Sequence, residues 1–288
     1  MKLTVGDREA YAYTGGKAFD ANLPCLVLVH GALNDHSVWN LLARWFAHHG
    51  HAVLAPDLPG HGRSAGPALQ SVEAMGDWLL ALLDAAGVAR AALAGHSMGS
   101  LVALQAAGMA PQRATRLVML GSVYPMVVSP ALLASAAETP LQAIEMVVNF
   151  SHSTLAAKPS YPGPGSWLRG GSRALMQQVL RAQGDATLFH TDFKACSTYA
   201  GGEAAAAAVQ CPAELILGSA DQMTPPRAAA ALAKLLKAPV HTVPAGHALM
   251  AEAPDAVLQA MRAVLGRPLN GAAPAPAPDA APRSPQAA

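Results

Sequence analysis

Leu23–Val29, LPCLVLV, is an uninterrupted apolar run with β-branched residues. Seven such residues suit a strand buried on both faces, as in a parallel sheet. Parallel strands need long crossovers, and the chain supplies them. Val38, Leu41, Leu42, Trp45 and Phe46 follow at helical spacing, and Gly50 ends that helix. HAVLAPDL then reads as a strand, Pro59–Ser64 as a turn-rich loop, and Val72–Ala86 as a helix closed by Gly87. Ala91–Ala94 is a short strand, Ser97–Ala110 a helix, and Leu117–Gly121 another strand. This alternation predicts an α/β fold, with right-handed crossovers placing helices on both faces of a mostly parallel sheet. Two short strands, Leu3–Val5 and Glu9–Thr14, precede it around the Gly6-Asp7-Arg8 turn.

The rhythm breaks after Val123. Ser129–Ala137, Pro140–Phe150, Trp167–Gln183 and Asp185–Tyr199 have helical spacing with no strand between them. SYPGPG, Ser160–Gly165, is a rigid turn cluster expected to shape this segment, with Trp167 packed beneath it. Alternation resumes with strand Ala213–Leu217, helix Pro226–Leu236, strand Val240–Val243 and helix Pro254–Leu265. The predicted organisation is a core of residues 1–123 and 198–266, an α-helical insertion at 124–197, and a disordered Ala/Pro-rich tail at 267–288.

Hydrophobic residues make up 52% of the 288 and charged residues 13%, which suits a large buried interior. The formal net charge of +1 and the lack of a basic run argue against nucleic acid or an anionic membrane as partner. Asp7, Arg8 and Glu9 stand where a signal peptide needs an apolar run, and no segment has the length of a membrane helix. A cytoplasmic monomer or homodimer is expected. Cys25, Cys196 and Cys211 have no metal-site spacing and read as small hydrophobes without a disulfide.

Gly95-His96-Ser97-Met98-Gly99 is a G-x-S-x-G pattern at a strand-to-helix junction. A serine there could simply cap the helix. It could also be a nucleophile, held by a sharp turn above the carboxyl edge of the sheet, where open α/β folds bind ligands. A serine hydroxyl needs a base, usually histidine, and the histidine needs an acid to fix its tautomer. Of the 11 histidines, His247 follows the last strand and reaches the same edge. His30 and His96 flank glycines and read as structural; His152 and His190 lie in the insertion and could face the cleft. Asp221, after strand Ala213–Leu217, is the preferred acid, and Asp57 is its rival. The Met98 N–H opens a helix and lacks an intrahelical partner, so it suits an oxyanion hole. A second N–H must come from the loop after Val29, with Ala32 preferred and Leu33 second. Leu33, Met223 and Leu249 lie beside these residues and are expected to line an apolar substrate pocket, as are Met98 and Met250.

The order Ser97, Asp221, His247 is that of the α/β-hydrolases. LVLVHGALNDHSVW, APDLPGHGRS, LAGHSMGSLVALQAA, LILGSADQMTPP and PAGHALMAEAP resemble that superfamily's signature segments, in the expected order, over nearly all of residues 23–265. The resemblance implies a sheet of about eight strands and a helical cap at the insertion. It also separates this chain from relatives. Haloalkane dehalogenases and epoxide hydrolases carry aspartate where Ser97 stands. Hormone-sensitive-type lipases carry three glycines where this chain has only Gly31. Carbon–carbon bond hydrolases carry a Gly-Pro pair that is missing here. What remains resembles small carboxylesterases, lactonases, thioesterases and cofactor-free perhydrolases. The expected activity is acyl transfer from a small apolar ester to water, with no metal and no organic cofactor. The alternative from another class is a ligand-binding protein on the same scaffold.

Overall fold

The computed structural model describes residues 1–153, 166–182 and 184–266. The SYPGPG cluster and the 267–288 tail lie outside the described residues. Eight strands form one sheet: β1 Lys2–Val5, β2 Arg8–Tyr13, β3 Cys25–Val29, β4 Ala52–Pro56, β5 Ala91–His96, β6 Ala114–Leu120, β7 Ala213–Gly218 and β8 Val240–Val243. Their order is β1-β2-β4-β3-β5-β6-β7-β8. The first three in that row pair antiparallel, and every pairing from β4 onward is parallel. Beside β3 the order reverses, since β4 lies on one side and β5 on the other. That reversal opens a crevice at the strands' carboxyl ends.

Alternation along β3 shows how the sheet is covered. Cys25, Val27 and Val29 enter one core cluster, whereas Leu26 and Leu28 enter another. The first cluster takes residues from α2 (Val72–Ala85) and α3 (Met98–Met109). The second takes Leu42 and Phe46 of α1 (Asn40–His48). Burial on both faces explains why the strand is apolar throughout.

Between β6 and β7 come α4 (Pro130–Glu138), α5 (Pro140–Ser151), α6 (Leu168–Ala182), α7 (Leu188–Thr198) and α8 (Gly202–Ala208). The first four share a cluster of their own, including Ala136, Ile144, Val179 and Phe189, which reaches Leu33 and Ala68 of the sheet domain's loops. The alanine-rich α8 packs instead on α3, so closely that a Cβ on Gly108 would lie 2.7 Å from the Ala205 Cα. No helix was predicted there: five consecutive alanines carry no amphipathic signal, and only their small size makes the contact possible. Next come α9 (Ala230–Leu236), the one-turn α10 (Leu249–Glu252) and α11 (Pro254–Leu265), whose Val257, Met261 and Val264 complete the second core. Among the described residues, no helix is long and apolar enough to cross a membrane. The three cysteines are free, with Cys25 and Cys196 buried and Cys211 half-buried.

Candidate active site

Ser97 occupies the turn between β5 and α3 with φ 53° and ψ −122°, a conformation that L-residues rarely adopt. The flanking glycines make the turn possible. A Cβ on Gly95 would lie 2.0 Å from the Gly99 carbonyl oxygen, and one on Gly99 would lie 2.3 Å from that of Val29. The serine does not cap its helix. Ser71 and Ser129 each accept a hydrogen bond from the first turn of their helices, whereas the Ser97 side chain makes none. Its hydroxyl is thus available to the cleft.

His247 lies on the loop between β8 and α10. Its Nδ1 is 2.9 Å from Asp221 Oδ2. Asp221 is fixed in turn by the Met223 and Thr224 N–H groups, both 2.8 Å from Oδ1, and by the Thr224 hydroxyl, 2.7 Å from Oδ2. Burial alone would raise the Asp221 pKa, but His247 and these donors lower it below the usual carboxylate value. Thr224 was not foreseen. Its position three residues after the aspartate is the signal of an Asx-type turn. Its Oγ1 also lies 3.2 Å from His247 Nδ1.

The rival carboxylate has other duties. Asp57 Oδ1 accepts from the His36 N–H at 2.8 Å and lies 2.7 Å from His36 Nδ1, while Oδ2 accepts from the Arg63 N–H. Asp35, His36 and Asp57 are also the one group among the described residues whose ligand atoms could close on a metal ion. Their oxygens already accept backbone hydrogen bonds, since Asp35 caps a short 3₁₀ turn through the Ser37 N–H.

The loop after β3 abuts Ser97: a Cβ on Gly31 would lie 3.2 Å from the serine Cβ. The Leu33 N–H donates to Asp192 Oδ2 at 2.8 Å, so it is not free for an oxyanion. Ala32 precedes Leu33 on this loop, and Met98 opens α3 directly after Ser97.

Two cavities meet here, of about 370 and 250 Å³, and Ala32, Ser97, Phe193, Met223 and His247 line both. The larger runs beneath the insertion past Val148, Trp167, Leu175 and Met176, and the smaller past Met126, Leu132, Met146 and Phe150. Met250 also lines the larger cavity. Leu33 and Leu249 line neither. Both are fully buried, Leu33 among the insertion's apolar side chains and Leu249 in the core on α1's side of the sheet. Met98 likewise points its side chain into the core on the side of α2 and α3. His152 does line the larger cavity, with Nδ1 3.0 Å from the Val148 carbonyl oxygen and Nε2 3.2 Å from the Ser172 hydroxyl. His190 lines neither. His30 and His96 are buried and partnered: the Leu58 N–H donates to His30 Nε2 at 3.0 Å, and His96 Nε2 lies 2.8 Å from the His247 carbonyl oxygen.

The family model described as "Alpha/beta hydrolase family" matches residues 26–260. The chain belongs to this α/β-hydrolase family. Its mouse relative named sn-1-specific diacylglycerol lipase ABHD11 is 33% identical over 135 residues, 46% of this chain and 44% of that protein. The dihydrolipoyllysine-residue acetyltransferase component of the acetoin cleaving system of Pseudomonas putida is 47% identical over 103 residues, 34% of this chain and 26% of that protein. The chain thus spans less than half the length of these curated relatives. The solved enol-lactonase of Burkholderia xenovorans superposes with a TM-score of 0.80 at 21% identity, covering 93% of this α/β-hydrolase and all of the lactonase. At that identity the likeness concerns the fold.

Proposed function

We propose that this α/β-hydrolase cleaves a carboxylic ester, or a closely related acyl bond, through Ser97. The observation that carries the proposal is that Ser97, strained and uncapped, lines the same two cavities as His247, whose other face is held by Asp221. His247 accepts the Ser97 proton as the hydroxyl attacks the acyl carbonyl carbon. Asp221 keeps the Nδ1 proton in place and stabilises the imidazolium. The Ala32 and Met98 N–H groups receive the negative charge that develops on the carbonyl oxygen. His247 returns its proton to the departing alcohol. Water then attacks the acyl-enzyme by the same steps, releasing the acid and restoring Ser97. The sequence of steps balances with no metal or organic cofactor.

Two apolar cavities meeting at one serine suit a substrate with a hydrophobic group on each side of the scissile bond. The ester-cleaving name of the mouse relative agrees with this reading over the matched segment. The test is steady-state turnover of an aryl ester series of graded acyl length, with thioesters and lactones alongside. Turnover of apolar esters above the other classes is expected. A chain that binds these compounds without turning any of them over would instead be a ligand-binding protein on a hydrolase scaffold.

A further inference from the structure

The helix α7 sends one carboxylate out of the insertion and into the sheet domain. Asp192 is fully buried, and its Oδ2 accepts from the Leu33 N–H at 2.8 Å. The same oxygen lies 2.9 Å from His61 Nε2, and His61 too is almost completely buried. The other ring nitrogen of His61 faces the Pro59 carbonyl oxygen at 3.1 Å. Both nitrogens therefore face acceptors, which only an imidazolium satisfies with two N–H groups. Burial opposes that charge, but Asp192 outweighs it and raises the His61 pKa.

This buried pair acts on the loop beside Ser97. Leu33 has φ 49°, the left-handed region that a leucine occupies only when something holds it there. Two things hold it: the N–H bond to Asp192, and a side chain packed wholly within the insertion's cluster. The Ala32–Leu33 peptide is gripped at its other end as well, where Asn34 Nδ2 donates to the Ala32 carbonyl oxygen at 2.9 Å. With that peptide plane fixed, the Ala32 N–H is one residue's rotation away from a fixed point. The loop also closes on itself, the Asn34 N–H donating to the Gly31 carbonyl oxygen at 3.3 Å, and the insertion adds its hold at Leu33.

We propose that Asp192 is a positioning residue for the oxyanion hole, holding the Ala32 N–H toward the cleft through Leu33, with His61 balancing its charge. The proposal deepens the acyl-hydrolase reading of Ser97 and rests on it. It makes the insertion part of the catalytic geometry as well as a wall of the pocket.

The test compares Asp192→Ala with Asp192→Asn, which keeps one acceptor oxygen for the Leu33 N–H. For each, kcat and KM on an aryl ester are measured, with the inhibition constant of an aryl trifluoromethyl ketone, whose adduct places an oxyanion in the hole. Asp192→Ala should lower kcat about 10- to 100-fold, less than the roughly 10²–10³ for deleting a donor outright. The ketone should weaken by a similar factor while KM stays within about threefold, and Asp192→Asn should recover most of both. If Asp192→Ala does not fold, Asp192→Ser replaces it in the same comparison. A folded Asp192→Ala or Asp192→Ser protein that retains wild-type kcat and ketone affinity would overturn the proposal. So would a rise in KM alone, which marks a wall residue. Fluorophosphonate labelling of Ser97 in the unaltered protein checks the underlying reading separately: absence of that label refutes the nucleophile, not the positioning role.

Discussion

Asp221 Oδ2 lies 2.9 Å from His247 Nδ1, whereas Asp57, at the end of an earlier strand, turns to His36. The two aspartates therefore predict opposite phenotypes. Asp221→Asn should lower kcat about 10⁴-fold with the fold intact, through the wrong histidine tautomer. Asp57→Asn should leave kcat within a few-fold and lower stability by about 1–3 kcal/mol, because it removes the charge that orders the His36 and Arg63 backbone. Ester kinetics and urea melts on both variants check the pair. An inactive Asp57→Asn beside an active Asp221→Asn would reverse the assignment.

The turn at Ser97 leaves no room for a methyl group. Gly95→Ala would place its Cβ 2.0 Å from a backbone oxygen of α3, which cannot swing aside as a side chain end could. A loss of about 3 kcal/mol or more is expected, at the upper end of overpacking costs. Gly171→Ala is the control, since nothing lies within 4 Å of the added carbon. Thermal unfolding of both variants reads the difference.

His96 predicts an acid limb in stability. Burial first, then the neighbouring His247, pushes its pKa down to about 3. The unfolded value is about 6.5, so between the two the unfolded chain binds more protons and stability rises with pH. His96 by itself contributes about 2 kcal/mol of loss as pH falls from above its unfolded value to pH 5. His30, lowered to about 4 by burial, adds to the same limb, and His61 opposes it only at higher pH. Its raised pKa contributes stability that is complete below the ordinary histidine value and fades only as pH rises above it. The lowered values of Asp57 and Asp221 act below the usual carboxylate range, outside this window. Urea unfolding from about pH 5 to 6.5 measures the slope, and His96→Asn should reduce it by up to about one proton.

Pocket walls and core can be separated with two aromatic residues of the insertion. Trp167 is 53% exposed and lines the larger cavity, with the Arg173 guanidinium over its ring. Phe189 is fully buried, stacked at a tilt on Phe193 and away from both cavities. Trp167→Ala should shift the preferred acyl length and cost little stability. Phe189→Ala should cost about 3–5 kcal/mol and leave the preference in place. Acyl-length profiles with melts of both variants decide it.

The strands and long helices were legible because burial on both faces writes an apolar run and one-sided burial writes a helical stripe. The placement of Ser97, Asp221 and His247 at one edge of the sheet was legible because each follows a strand. Strand β6 begins at Ala114, earlier than its apolar residues suggest, because Arg116 is carried into the sheet. The pocket lining was legible only in part: Met223 and Met250 line it, whereas Leu33 and Leu249 neighbour site residues in sequence, yet the backbone turns both side chains into cores. The contact between Asp192 and His61 spans 131 residues. No local pattern marks it, since it depends on how α7 docks against the loop after β4.

The most direct measurement is active-site labelling with a fluorophosphonate, followed by peptide mass spectrometry. The account predicts modification of Ser97 alone, abolished in Ser97→Ala together with ester turnover while the melting temperature stays near that of the unaltered chain. Labelling of another serine, with Ser97→Ala still turning over ester, would contradict it.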